Sequence, residues 1–122
     1  MATILIVEDE FLIALDTEDT LRDLGHDVAG PALTLDEGLA IARDERIDAA
    51  LLDVNLTDGT SRPIAELLRA KAVPFAYVTG YGHAPTEDGF PAAPVVGKPA
   101  GRDDLATVLH SLLEQTDDRS AA

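Results

Sequence analysis

The sequence predicts an α/β protein built on a doubly wound, mainly parallel five-stranded sheet with helices on both faces and right-handed crossovers. Three observations carry that prediction. Short apolar runs rich in β-branched residues alternate with segments of helical periodicity along most of the 122 residues. Those runs are continuously apolar rather than alternating, as strands buried on both faces are. A chain of this length can also hide roughly two-thirds of its unfolded surface, so it needs no staple.

Thr3-Ile4-Leu5-Ile6-Val7 meets acid at Glu8 and reads as a central strand. Phe11, Ala14, Leu15, Leu21 and Leu24 then recur at helical spacing, with Gly25 to end the helix. Val28-Ala29-Gly30 is a weak second strand broken by Pro31, and Thr34 with Glu37 forms a capping box for a helix over Leu35, Leu39 and Ala42. Ala49-Ala50-Leu51-Leu52 is the third strand, ending at Asp53. The Asp58-Gly59 turn leads to a helix with Pro63 in its first turn and Ile64, Leu67 and Leu68 inward. Phe75-Ala76-Tyr77-Val78-Thr79 is the fourth strand, Val95-Val96 the fifth, and Leu105, Val108, Leu109 and Leu112 mark a final amphipathic helix. The domain spans 1–115 and residues 116–122 read as a loose tail with no output domain.

One connection breaks the alternation. Gly80 to Ala93 holds three glycines and two prolines with almost no apolar periodicity. Gly and Pro cost about 1 and about 3 kcal/mol inside a helix relative to Ala, so the fourth helix is short, irregular or absent.

The formal charge of −14, from 9 Lys plus Arg against 23 Asp plus Glu, repels phosphate backbones and anionic membrane surfaces, which argues against direct nucleic-acid or membrane binding. The 46% hydrophobic content arranged in blocks argues for a packed core rather than acidic disorder. The absence of cysteine excludes thiol chemistry and a disulfide framework. No apolar run reaches membrane-span length, and Met1 to Val7 lacks the flanks of a signal peptide, so a cytoplasmic location is the default expectation. The sequence leaves oligomeric state open, with a monomer as the default.

In open parallel sheets, ligands collect beyond the carboxyl ends of the strands where strand order reverses. Glu8, Asp9, Asp53, Thr79 and Lys98 all fall at such ends. Three crowded carboxylates raise one another's pKa unless a cation compensates, and magnesium, which takes one or two carboxylates and keeps room for phosphoryl oxygens, suits the set. Asp53 is then a nucleophile toward phosphorus, Asp9 a direct ligand, Glu8 a ligand through water, Lys98 a fixed positive charge and Thr79 a donor to a phosphoryl oxygen. A lone Asp at a strand end is usually a cap or a solvated turn; the company of the other four residues lifts Asp53 above that reading.

Val7-Glu8-Asp9-Glu10, Leu52-Asp53-Val54-Asn55-Leu56, Thr79-Gly80 and Lys98-Pro99, in this order, resemble the receiver domain of bacterial two-component response regulators from Thr3 to about Gln115. The resemblance implies a flavodoxin-like sheet of order 2-1-3-4-5 and phosphorylation of Asp53 by a histidine kinase or phosphotransfer protein. It further implies magnesium held by Asp9, Asp53 and the backbone carbonyl of Asn55. Such a domain is not an enzyme with turnover of its own but assists its own phosphorylation and dephosphorylation. Pro74-Phe75-Ala76-Tyr77-Val78-Thr79-Gly80-Tyr81-Gly82 is similar to the signature of the FAT GUY subclass, whose members lack a regular fourth helix and work with HWE and HisKA2 kinases. Two positions depart from the wider family. Val95 replaces the usual aromatic switch, leaving Tyr81 either as a switch residue or as a ring packed over the core. Thr57 stands where many members have proline, which is expected to loosen that loop without touching the chemistry.

A signalling role through a downstream protein partner, a phosphate sink or shuttle, and a docking protein that has lost phosphoryl transfer all remain compatible with these residues. A haloacid-dehalogenase-like phosphatase would need a second Asp two residues after its nucleophile, where this chain has Asn55. His26, His83 and His110 have no second ligand at metal spacing and read as surface residues.

Overall fold

The computed structural model describes residues 2–80 and 90–121, with side chains of the last helix described through Gln115. Its elements are β1 (Thr3–Val7), α1 (Phe11–Asp23), β2 (Asp27–Ala32), α2 (Leu35–Asp44), β3 (Ala49–Asp53), β4 (Asn55–Leu56), β5 (Gly59–Thr60), α3 (Arg62–Ala70), β6 (Phe75–Thr79), β7 (Val95–Gly97) and α4 (Arg102–Ala121). The main sheet has five strands in the order β2-β1-β3-β6-β7, every pair parallel. Setting aside the small antiparallel β4–β5 hairpin, this is the expected order 2-1-3-4-5.

Period-two alternation sends successive strand residues to opposite faces, so the apolar runs supply two cores at once. Leu5, Val7, Leu52, Phe75 and Tyr77 join Ile64, Ala65 and Leu68 of α3 on one face. Ile4, Ile6, Leu51, Ala76 and Val96 join Leu21 of α1 and Leu105, Leu109 and Leu112 of α4 on the other. The expected inward residues of α4 are all buried. The N-cap half of the expected capping box forms: the Thr34 hydroxyl accepts from the Glu37 backbone N–H at 3.1 Å and opens α2, while the Glu37 carboxylate accepts from that hydroxyl at 3.3 Å.

Four features differ from the sequence reading. Pro31 does not break the second strand, which runs on to Ala32. It is tolerated because β2 is an edge strand, where a missing N–H costs little. The register shifts between Leu5 and Val7, and Gly30 at that irregularity has φ +91°; a Cβ there would lie 2.6 Å from the Ala32 nitrogen. In α1, Ala14 and Leu21 are buried but Phe11 and Leu15 are 58% and 38% exposed, so the buried face of the helix is narrower than its apolar spacing suggests. Where the sequence predicts only a turn at Asp58-Gly59, a short antiparallel β4–β5 hairpin forms, its two strands joined by the Thr57-Asp58 pair. Finally, α4 continues through 116–121, the segment read as a loose tail, since nothing from Gln115 to Ala121 is Gly or Pro.

Of the connection expected to lack a regular fourth helix, Gly80 and residues 90–94 are described, and none of them is helical. Tyr81 and His83 lie outside the described residues. Past that stretch the chain is anchored to the sheet. The Tyr77 hydroxyl donates to the Pro91 carbonyl at 2.6 Å, and the Tyr77 ring meets Phe75 and Phe90 edge-on at 5.6 and 6.0 Å.

Candidate functional site

Parallel strands end on the same rim, so the residues that finish β1, β3, β6 and β7 come together without long-range design of their side chains. The β1–β3 register pairs Val7 with Leu52, so the next residues, Glu8 just past β1 and Asp53 at the end of β3, come side by side at the carboxyl end. β1 and β3 are also where the strand order reverses, the position at which open α/β sheets form a crevice. Thr79 closes β6, and its carbonyl accepts from the Lys98 backbone N–H at 2.9 Å, which brings Lys98 back over the rim from β7. The Lys98–Pro99 peptide bond that follows is cis.

The Lys98 ammonium bridges the two acids: Nζ lies 2.6 Å from Glu8 Oε1 and 3.2 Å from Asp53 Oδ2. Glu8, Asp53 and Thr79 are buried. Glu8, Asp9 and Asp53 each present a carboxylate oxygen within 4.8 Å of the others. Glu8 is oriented from its other oxygen, which accepts from the Glu10 backbone N–H at 3.1 Å. Asn55 opens β4 two residues past Asp53 and is exposed. The five residues at the strand ends that the sequence singles out are thus gathered on one rim, with Asn55 two residues beyond.

Burial raises the Asp53 pKa from 3.8 to about 7, reinforced by the charge and hydrogen bonding of Glu8 and opposed only in part by Lys98. Burial by itself lowers the Lys98 pKa, but the hydrogen bond and charge of Glu8 together with Asp53 outweigh it and hold the ammonium above its ordinary value. The rim therefore carries more negative charge than one lysine neutralises. Hard carboxylate oxygens at this spacing, in a pocket short of positive charge, fit a divalent cation of the magnesium type.

One contact lies outside the sequence reading. The Thr57 hydroxyl donates to Asp9 Oδ2, in the acidic cluster, at 3.1 Å. No linear signal announces this, because the partners are 48 residues apart and meet only through the hairpin, which the sequence reading did not resolve as strands.

A five-stranded parallel sheet with a carboxylate cluster and a lysine at its switch point defines an α/β protein with a cation-ready crevice. No protein-family profile matches the chain. SdrG from Sphingomonas melonis Fr1 is 43% identical, with a TM-score of 0.79 over 93% of this chain and 97% of that one. A CheY-like response regulator receiver domain from Methanospirillum hungatei JF-1 superposes with a TM-score of 0.83 at 26% identity, covering 98% of both chains. The phyllosphere-induced regulator PhyR of Methylorubrum extorquens is 42% identical over 85 residues, 66% of this chain but only 32% of that longer protein. The chain belongs to the family of response regulator receiver domains.

Proposed function

We propose that this chain is a phosphoacceptor switch: residues 1–115 form a receiver domain that takes a phosphoryl group onto Asp53 from a histidine kinase or phosphotransfer protein and signals through altered protein contacts. The observation that carries the reading is the Lys98 ammonium held between Glu8 and Asp53 at 2.6 and 3.2 Å, inside a three-carboxylate cluster.

In the proposed step an Asp53 carboxylate oxygen attacks the phosphorus of a phosphohistidine; the O–P bond forms, the P–N bond breaks, and the released imidazole takes up a proton. Asp9 and Asp53, with the Asn55 backbone carbonyl and Glu8 through water, are the residues that would hold magnesium. That ion would supply charge neutralisation at the phosphoryl oxygens. The Lys98 ammonium, 3.2 Å from Asp53, would stay with it as its charge moves onto the phosphoryl group, and the Thr79 hydroxyl, at the end of the neighbouring strand, would donate to one of the new oxygens. Expulsion of water is supported by the burial of Glu8, Asp53 and Thr79.

For the donor, exposed Leu12 lines, with Ile13, Val78, Pro99 and Ala100, an open and mainly apolar cavity of about 420 Å³ that reaches Lys98, a surface suited to an apolar helical face. The Pro74 to Gly82 signature supports a donor of the HWE or HisKA2 type, and Tyr81 remains a proposed switch residue. Among the described residues no helix is long and apolar enough to cross a membrane.

The test is phosphotransfer from a radiolabelled HWE-type kinase in the presence of magnesium. Label should move to the parent chain and not to D53N; equal labelling of both would overturn the assignment.

A further inference from the structure

We propose that Thr57 is a positioning residue of the cation site, its hydroxyl holding Asp9 against the hairpin that carries Asn55. The inference rests on the receiver reading of that site and deepens it.

The hairpin is fixed from three sides. At its base the Ser61 N–H donates to the Val54 carbonyl at 2.9 Å. Its two turn residues then reach in different directions. Asp58 Oδ1 accepts from the backbone N–H of Leu35 at 2.8 Å, tying the turn to the first residue of α2. The Thr57 hydroxyl donates to Asp9 Oδ2 at 3.1 Å, tying the same turn to the loop after β1. Asp9 and Asn55 sit on separate loops, which nothing in the sheet ladder holds in register, since β1 ends at Val7 and β3 at Asp53. The Thr57 contact closes that gap, so the two loops meet a cation as one unit.

The chemistry suits a supporting role rather than a competing one. A carboxylate offers about four lone-pair sites, so a hydrogen bond accepted by Asp9 leaves the others for a cation. Asp9 is less buried than Glu8 and Asp53 and follows the strand rather than lying in it, so its side chain is the one of the three with most freedom to lose. Pinning one of roughly three staggered rotamers is worth about a factor of three, and partners of metal ligands generally count for about 10- to 100-fold in affinity. An exposed hydroxyl belongs between the rotamer factor and the bottom of that span, so removing it should weaken magnesium binding by roughly three- to tenfold.

The experiment is a magnesium titration of the full chain followed by backbone amide shifts, for the parent, T57V and T57S, with urea unfolding of each in EDTA. Valine keeps the branched shape and loses the donor, while serine keeps the donor. T57V should bind magnesium roughly three- to tenfold more weakly and T57S within about twofold of the parent, with metal-free stability the same in all three. T57V binding as tightly as the parent, or T57S as weakly as T57V, would overturn the proposal while leaving the receiver reading intact. A parent chain whose amides do not respond to magnesium would instead remove the receiver reading, and this inference with it.

Discussion

In the absence of divalent ions, Asp53→Asn should make the protein more stable, and the gain should grow as the pH rises. Asp53 has a pKa of about 7 in the folded chain against 3.8 when free, because burial and the Glu8 carboxylate disfavour its charged form and Lys98 compensates only in part. Between those values the folded state holds more protons than the unfolded one, so stability falls as pH rises. The favourable contribution is complete below pH 3.8, declines through the window up to about 7, and is lost above it. At about 1.4 kcal/mol per pH unit the window carries roughly 4 kcal/mol, of which roughly 2–3 kcal/mol falls between about pH 5 and about pH 8. An asparagine mimics the neutral acid and has no such slope. Urea unfolding in EDTA at the two pH values, parent against D53N, reads the difference directly. The parent should lose about 2–3 kcal/mol more than the variant on going to the higher pH. Magnesium at about 100 times its dissociation constant should then return roughly 2.7 kcal/mol to the parent and much less to D53N. A gap between the two proteins that does not change with pH, or a parent that gains relative to D53N, would refute the reasoning that Asp53 is forced into an anionic pocket.

Three further outcomes follow from the same contacts. Lys98→Gln removes the group that opposes the raised Asp53 pKa, so a carboxyl NMR titration should place Asp53 higher than in the parent; an unchanged value would mean that the ion pair at 3.2 Å does not persist in solution. Leu109→Ala, in the fully packed stripe of α4, should cost about 2–5 kcal/mol in urea unfolding, whereas a loss under about 1 kcal/mol would show that α4 does not pack on the sheet as described. Thr34→Ala, which deletes the cap on α2, should cost about 1 kcal/mol, and Thr34→Ser should recover most of it.

The extent to which the fold was legible follows from where each element gets its stability. β1, β3 and α4 were plain because their apolar residues are the core itself: Ile4 to Val7, Leu51, Leu52 and the Leu105 to Leu112 stripe are all buried. The strand-end residues were legible for a related reason. A parallel sheet sends every carboxyl end to one rim, so Glu8, Asp9, Asp53, Thr79 and Lys98 needed only correct strand ends to be gathered. What was hidden depends on neighbours that are not in the local sequence. Pro31 looks like a breaker until β2 is known to be an edge strand. The exposure of Phe11 and Leu15 beside the buried Ala14 depends on which face of α1 meets its neighbours, which helical periodicity alone does not report. Strands of two residues, as in the β4–β5 hairpin, are too short for any period to show, and with them the Thr57 to Asp9 contact stayed out of sight.

Intact-mass analysis after incubation with acetyl phosphate, with magnesium or with EDTA, tests most directly whether this acidic rim serves phosphoryl transfer. One added phosphoryl group is expected, dependent on magnesium, mapping to Asp53 and absent from D53N. An unaltered mass in magnesium, or an adduct that persists in D53N, would contradict it.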